Sequence, residues 1–521
     1  MIIHKPSGSL VLKVRSPERI RAVIPKSKLV DIQGHNLAVR HGLDETRVLR
    51  NLGIAAPSPM RYYYPWPGKF TPLSHQIDTA EFATLHRKCF IFNEMGTMKT
   101  SSVLWAADYL MQIGQVRKVL VIAPLSTLEH TWRKEVFNVA MHRTAIILHG
   151  TRKQREERLA QDVDFYVMNH HGVSILGDDL RKRTDIDLVI WDECSELRNA
   201  RTKMYEDFTN MLRPDQRLWL LSGAPCPTAP TDAWALAKLV DPSRVPKFFG
   251  AFKRLTMVQL TQFKWVPRIG AHKIAFDAMQ PAIRFRKEEC INLPPVVCID
   301  KECDLTPEQK KAYKDMKAKM VAEARTHDIV AVNAADQIGK LRQILAGVVK
   351  LPQTEEYQVL DHGPRFQVLL ESIREASAKV VVIVPFKGIT RHLESQLKEH
   401  YSCAIMNGDV SITKRNEIIR QFKESPDPHV LLCHPKVMSH GLTLTEADTM
   451  IFYAPIYSND QYMQVRERLN RPGQTRHMTM VRIAANALEW SIYKALDERT
   501  VTQETILELY KRELSLGLPI K

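Results

Sequence analysis

The chain alternates short apolar runs with longer stretches of helical periodicity, and this alternation limits its fold more than any other feature. Six runs of strand length lie at residues 88–92, 118–123, 145–148, 164–168, 188–191 and 218–221. Five more lie at residues 379–384, 403–406, 429–433, 450–453 and 478–483. Strands that alternate with helices form parallel sheets covered on both faces, so the pattern predicts two α/β lobes.

The domain boundaries follow from this pattern. Between the two sets of strands, residues 231–378 are mostly helical in pattern, interrupted by Leu293-Pro294-Pro295. Two consecutive prolines are typical of a connection between lobes. We therefore predict a first lobe with a helical insertion over residues 69–292, a second over 293–500, and a C-terminal brace or tail over 501–521.

Residues 1–68 differ from the rest and are predicted to form a small basic accessory segment. They contain eleven Lys or Arg and four Asp or Glu, a local charge of +7. Strand-like runs at 9–14 and 36–39 and a helical run at 45–52 indicate some folded structure. The segment closes with residues 61–67, RYYYPWP. This stretch either stacks on bases or sugars, or links the segment to the next domain by packing on it.

Composition indicates the class of partner. The formal net charge of +16 favours a polyanion such as nucleic acid. The longest apolar stretches have strand length, so neither a membrane span nor a secretion signal is expected, and a cytoplasmic protein (nuclear, if its source is eukaryotic) is. The eight cysteines include no CxxC pair, which argues against a structural metal and for a reducing compartment.

Residues 93–100, NEMGTMKT, follow the first apolar run and suit a phosphate-binding loop. Such a loop needs small residues whose N–H groups face phosphate, a lysine for the β and γ phosphates, and a hydroxyl for magnesium. Gly96, Lys99 and Thr100 fit these roles. Asn93 and Met98 occupy positions where the GxxxxGK pattern has glycine, so an ordinary strand-to-helix turn with an incidental lysine remains the alternative.

Asp192 and Glu193 directly follow the apolar run at 188–191. One carboxylate at such a strand end can hold magnesium, and the other can orient or deprotonate an attacking water, which is the division of labour that phosphate hydrolysis requires. We therefore assign Asp192 to the metal and Glu193 to catalysis, with an ordinary loop start as the alternative.

Residues 464–471, QVRERLNR, have helical character, and their spacing predicts Gln464, Arg468 and Arg471 on one face. Arginines held near a γ-phosphate stabilise the charge of the transition state. We assign these three residues to catalysis. A solvated helix face is the alternative.

In this order the motifs resemble those of the Swi/Snf-type ATPases of helicase superfamily two, over about residues 70–498. Residues 93–100 resemble that family's DEMGLGKT loop, and 192–199 its DEGH-type box, with Ser195 in place of His. The remaining similar segments are 70–76 (the adenine-reading glutamine motif), 121–125 with Trp132 and Glu135 (motif Ia), 221–225 (the LTGTP coupling motif), and 406–409, 441–448 and 464–474 (the DG, GLNLTAAD and QAxxRxxRxGQ segments).

The resemblance implies two RecA-like lobes with helical insertions, a C-terminal brace at 489–514, and ATP and magnesium as cofactors. It implies nucleotide contacts by Gln76, Gly96, Thr97, Lys99, Thr100 and Asp192, with Thr100 and Asp192 also binding magnesium. It further implies coupling residues Ser222 and Ala224, and DNA-binding residues Pro124, Lys387, Gly441 and Thr443. The expected protein is a compact, stand-alone, monomeric motor, bacterial or viral, that moves on duplex DNA.

Three functions agree with this interpretation. The first is a translocase stimulated by duplex DNA. The second is a strand-separating or branch-remodelling helicase that uses residues 1–68 to read DNA structure. The third is a DNA-binding scaffold whose nucleotide site has degenerated, which Met98 would indicate.

Overall fold

The computed structural model describes residues 1–521 except 224–225, 227–228, 261–264, 291–293, 327–330, 352–355, 439–443, 472, 499–502 and 516–521. The chain divides into two compact units, residues 1–291 and 292–521. Among the described residues, no helix is long and apolar enough to cross a membrane.

The strands of the first unit are β1 (Ile2–His4), β2 (Ser9–Leu12), β3 (Lys28–Ile32), β4 (His35–Arg40), β5 (Lys88–Ile91), β6 (Lys118–Ala123), β7 (Ala145–Ile147), β8 (Phe165–Asn169), β9 (Ile186–Asp192), β10 (Arg217–Leu221), β11 (Met257–Gln259), β12 (Trp265–Pro267) and β13 (Ala282–Ile283). Its helices are α1 (Pro17–Val23), α2 (Leu43–Asn51), α3 (Met60–Tyr63), α4 (Ser74–Leu85), α5 (Lys99–Gln112), α6 (Lys134–Val139), α7 (Arg152–Leu159), α8 (Gly172–Lys182), α9 (Lys203–Met211), α10 (Ala233–Val240), α11 (Phe249–Thr256), α12 (Ala271–Ala278) and α13 (Lys287–Cys290).

A parallel sheet with the order β13-β5-β10-β9-β6-β8-β7 forms the centre of this unit. Successive residues of its strands enter two different cores. In β5, Cys89 and Ile91 face one core, while Phe90 and the residue that follows the strand, Phe92, face the other. Burial on both faces explains why each strand is a continuous apolar run in the sequence.

Residues 1–56 build a separate antiparallel sheet, β1-β2-β4-β3, with its own small core that includes Leu10, Leu37 and Leu49. The aromatic stretch that follows packs on the first unit. Tyr64 belongs to that unit's core, and the Trp66 ring lies 5.7 Å from Trp105, edge to face. The Tyr64 and Trp66 side chains therefore pack on the neighbouring domain, which is the second of the two roles considered for this stretch.

The strands of the second unit are β14 (Val296–Glu302), β15 (Val348–Lys350), β16 (Tyr357–Val359), β17 (Lys379–Ile383), β18 (Cys403–Met406), β19 (Val430–Cys433), β20 (Ala447–Phe452) and β21 (Met478–Ala484). Its helices are α14 (Pro307–Thr326), α15 (Ala331–Leu345), α16 (Gly363–Arg374), α17 (Lys387–Leu397), α18 (Ile412–Glu424), α19 (Pro435–Met438), α20 (Asn459–Arg466), α21 (Ala487–Asp497) and α22 (Gln503–Ser515).

A second parallel sheet, β14-β21-β20-β17-β19-β18, organises these elements. Val381 and Ile383 face one core, while Val380 and Val382 face the other. The two parallel-sheet lobes expected from the sequence are confirmed. The domain boundaries within the two units stay predictions.

Candidate functional site

The loop between β5 and α5 has the backbone that a phosphate-binding loop requires. Gly96 and Met98 have positive φ angles of 82° and 56°, and α5 begins at Lys99. Left-handed backbone costs a residue with a side chain roughly 1 kcal/mol, and glycine avoids this cost. Met98 therefore holds a conformation that explains why related patterns place glycine there.

The Lys99 side chain extends back across this loop. Its ammonium donates hydrogen bonds to the carbonyl of Asn93 at 2.8 Å and to that of Glu94 at 3.2 Å. The Thr97 hydroxyl donates to the same Glu94 carbonyl at 2.7 Å. The lysine charge is thus held at the loop, within reach of an anion bound to the loop N–H groups.

The segment after β13 is hydrogen-bonded to this loop, a role that was not predicted from the sequence. The Phe285 N–H donates to Asn93 Oδ1 at 3.1 Å, and the Glu94 N–H donates to the Phe285 carbonyl at 3.0 Å. The Lys287 N–H donates to the Glu94 carboxylate at 3.2 Å. Asn93 also donates through Nδ2 to the Thr79 hydroxyl at 2.8 Å, so it anchors the loop to α4. Only the basic run at 284–287 could have drawn attention to this segment.

Gln76 and His75 attach the start of α4 to the same region. Gln76 is buried, and its Oε1 accepts the Leu73 N–H at 3.0 Å, which caps the helix. His75 Nε2 lies 3.0 Å from the Thr97 carbonyl; a carbonyl can only accept, so this nitrogen carries the proton. Burial lowers the pKa of His75. His75 is thus a contact to the phosphate loop that sequence analysis, which singled out only Gln76, did not identify.

Asp192 ends β9 and Glu193 follows it with a positive φ of 58°. The Asp192 carboxylate accepts the Trp132 indole N–H at 3.1 Å and the Glu193 N–H at 3.1 Å. His170 Nε2 donates to the Asp192 carbonyl at 2.9 Å. Burial raises the pKa of Asp192, and the positive charge of Lys99 opposes the shift. A cation is therefore the ligand that this carboxylate favours.

The register of the sheet brings the predicted residues to one edge of it, the edge formed by the carboxyl ends of the strands. Leu221 pairs with both Ile91 and Asp192, so the ends of β5, β10 and β9 lie side by side. Ser222 follows directly, and its N–H donates to the Ile91 carbonyl at 3.1 Å. Pro124 follows β6, the neighbour of β9, at the same edge. Ala224 lies outside the described residues.

In the second unit, Lys387 begins α17 directly beyond β17. Its ammonium lies 2.7 Å from the carboxylate of Asp409, and this hydrogen bond lowers the pKa of Asp409. Both side chains are about half exposed. The Arg415 guanidinium donates to the Asn407 carbonyl at 2.9 Å, which fixes the loop after β18. Gly441 and Thr443, the other predicted DNA contacts of this unit, lie outside the described residues.

The prediction that Gln464, Arg468 and Arg471 share a helix face is wrong. Helix α20 ends at Arg466, and the next three residues form a turn. Pro472 would in any case stop a helix near Arg471, because proline lacks an N–H and disfavours helical backbone in the residue before it. Arg471 instead donates through Nε to the Glu467 carbonyl at 3.0 Å, and burial lowers the pKa of its guanidinium to about 10.

Among the described residues, no group of three His, Cys, Asp or Glu side chains could hold a metal ion alone. Thr100 and Asp192 offer a hydroxyl and a carboxylate, the hard oxygen donors that magnesium prefers when phosphate and water supply the remaining ligands.

Comparison with known families matches most of the chain. The family model of the SNF2-related domain matches residues 59–357, and that of the helicase conserved C-terminal domain matches residues 364–473.

Curated relatives share low identity over most of the chain. An uncharacterised ATP-dependent helicase of Mycoplasma genitalium is 22% identical over 428 residues, which cover 80% of this chain and 40% of the relative. DNA excision repair protein ERCC-6 of Mus musculus is 25% identical over 408 residues, 72% of this chain and 27% of the relative. The chain thus spans less than half the length of either relative.

Among solved structures, the chain is similar to the Sulfolobus solfataricus SWI2/SNF2 ATPase core in complex with dsDNA. The identity is 19% and the TM-score 0.42, with 88% of this chain and 99% of that chain covered.

Proposed function

The chain belongs to the SNF2-related family, and from this membership we propose that it is a DNA-stimulated ATPase of helicase superfamily two that translocates on duplex DNA. The observation that carries the proposal is the arrangement of Lys99, Asp192 and Glu193 at one edge of the first parallel sheet. In an open α/β sheet this edge is where ligands bind. The net charge of +16 agrees with a nucleic-acid partner.

In this proposal each residue of the edge has a distinct task. The loop N–H groups around Gly96 and the Lys99 ammonium bind the phosphates, and Gln76 contacts the adenine. Thr100 and Asp192 hold magnesium, which supplies charge neutralisation at the phosphates. Glu193 orients and deprotonates the attacking water. Gln464, Arg468 and Arg471 are proposed as catalytic residues that the second unit contributes.

The test is steady-state ATP hydrolysis without nucleic acid and with single-stranded DNA, duplex DNA or RNA. We expect strong stimulation by duplex. Lys99→Ala and Glu193→Gln should each lower turnover by at least about a hundredfold, because each removes a group that acts on the transferred phosphate. DNA binding should persist in both variants. Unchanged turnover in either one would contradict the proposal, and stimulation by single strands alone would favour the strand-separating helicase.

A scaffold with a degenerate nucleotide site is the second candidate, because Met98 holds left-handed backbone in the phosphate loop. Met98→Gly removes this strain, worth roughly 1 kcal/mol. For an active motor we expect a change in ATP hydrolysis of less than about tenfold. A large gain from a baseline indistinguishable from zero would instead identify a degenerate site. Met95→Gly is the matched control, since it changes the same residue type in the same loop.

A further inference from the structure

The insertion between β10 and β13 of the first unit contains a long stretch whose charged side chains are all basic. Residues 242–276 contain seven Lys or Arg and no Asp or Glu. Asp241, directly before the stretch, pairs with Arg244, whereas the stretch itself supplies no carboxylate for its other cations. Its natural partner is therefore a polyanion.

The same insertion exposes large apolar side chains. Those that are exposed are Phe248, Phe249, Leu255, Leu260, Ile269 and Phe276. Phe248 is 70% exposed, Phe276 is 60% exposed, and Ile269 projects fully into solvent. Scattered apolar residues are normal on protein surfaces, but a concentration of this kind marks a binding surface.

Helix periodicity shows how cations and rings alternate on α12. Ala271, Ala275 and Ala278 are buried and attach the helix to the unit. Lys273 and Phe276, three residues apart, are both exposed and so lie on the opposite face.

Helix α11, the two residues before it and the β11–β12 hairpin repeat the pattern. Phe252 is buried, whereas Leu255 is exposed on the outer side. The Lys253 ammonium lies 3.9 Å from the centre of the Trp265 ring, and the Lys247 ammonium 5.6 Å from that of Phe248. Each of these two lysines therefore lies beside an aromatic ring.

We propose that this surface binds single-stranded nucleic acid, with its phosphates on the lysines and arginines and its bases against the exposed phenylalanines. A duplex would use the cations but hides its base faces, which leaves the exposed rings without a function. Base stacking on aromatic side chains combined with a cationic surface is the usual basis of single-strand binding. Its residues are not among the predicted DNA contacts Pro124 and Lys387, and binding to it requires no ATP hydrolysis.

The test is fluorescence anisotropy of labelled oligothymidylate, oligouridylate and a DNA duplex, measured without nucleotide. Phe248→Ala and Phe276→Ala should each weaken binding of a single strand at least about fivefold and leave duplex binding unchanged. Lys273→Gln should reduce the slope of log affinity against log salt by about 0.7 for single strands. The two oligonucleotides show whether DNA, RNA or both are bound.

Matched controls keep the test specific. Phe137 on α6 is an equally exposed phenylalanine with the Lys69 ammonium 4.9 Å from its ring, and Lys182 on α8 is an exposed lysine. Phe137→Ala and Lys182→Gln should not change single-strand binding.

Three results would overturn the proposal. These are equal losses of affinity in the controls, equal weakening of single strands and duplex, and unchanged binding in all variants. The last would assign the surface to an acidic protein partner. ATP hydrolysis without nucleic acid should be unchanged in Phe276→Ala. This measurement tests the proposed motor function by itself, so a failure of the surface proposal can be told apart from a failure of the motor proposal.

Discussion

Asp192 is a buried carboxylate whose environment suits a bound cation more than a bare charge. Because burial raises its pKa in the folded protein above that of the unfolded chain, the ionised form is disfavoured by folding. Below the pKa of the unfolded chain, the Asp192 carboxyl is protonated in both states and does not change the free energy of unfolding. As the pH rises through the unfolded and then the folded pKa, the free energy of unfolding falls, and it stays lower at neutral pH.

Asp192→Asn should consequently raise the thermal midpoint at neutral pH, with a gain that disappears in acid, while it abolishes ATP hydrolysis. The check is differential scanning fluorimetry across a pH series. Asp409→Asn is the control of opposite sign, since Lys387 lowers the pKa of that exposed carboxyl and its small stabilisation is lost as the pH falls. A midpoint for Asp192→Asn at or below that of the unchanged protein at neutral pH would refute the argument.

The sequence allowed the candidate site residues to be proposed, but not the residues that support them. Lys99 and Asp192 could be named because a recognisable apolar run precedes the motif of each, and Ser222 because residues 221–225 resemble the LTGTP motif. His75 and Phe285 could not, since their contacts to the phosphate loop depend on the packing of α4 and the strand β13 against β5. Such contacts join residues far apart in the chain and leave no local pattern.

Among secondary-structure elements, the inner strands of the two parallel sheets were predictable. Their edge strands were predicted only in part, because β7 and β18 were found from the sequence and β13 and β14 were not. β6 and β17 are continuous apolar runs because both of their faces are covered. β14 was missed within a region that has a mostly helical pattern. Among the described strands it pairs only with β21, most of its side chains are exposed, and its second half is charged. The end of α20 was misplaced because arginine spacing alone does not show where a helix stops.

Helix α4 joins the N-terminal sheet domain to the first parallel sheet. The buried Glu81 carboxylate accepts hydrogen bonds from Arg50 at 2.9 Å, from Arg61 at 2.6 Å and from the Ser58 N–H at 2.6 Å. Glu81→Ala should therefore destabilise the first unit by about 2 to 3 kcal/mol, because it deprives two guanidinium groups of this buried acceptor.

Urea unfolding followed by tryptophan fluorescence measures this destabilisation, since seven of the eight tryptophans lie in the first unit. Asp78→Ala is the control on the same helix. Asp78 also pairs with Arg61 but is 42% exposed, so its removal should cost less than about 1 kcal/mol. Equal effects of the two substitutions would show that the Glu81 cluster is not the anchor.

Over the chain as a whole, the net charge of +16 is concentrated in two places. Residues 1–68 carry +7, and so do residues 242–276. Deletion of residues 1–68 cannot test their role cleanly, because Tyr64 and Trp66 pack on the first unit and their removal would expose its core. Substitution of exposed lysines preserves that packing.

For a translocase on duplex DNA, Lys13, Lys26 and Lys28, all exposed on the N-terminal domain, should act only through their charge. Replacement of all three by Gln should weaken binding of forked and linear duplex by the same factor. For every phosphate that one of these lysines neutralises, the slope of log affinity against log salt should decrease by about 0.9. Lys153, Lys182 and Lys494, also exposed, form the control set with the same change in charge. The measurement is affinity for both DNA forms over a salt series. If the substitutions weakened fork binding selectively and the control set did not, the N-terminal domain would be a reader of branched DNA. That result would favour the branch-remodelling helicase.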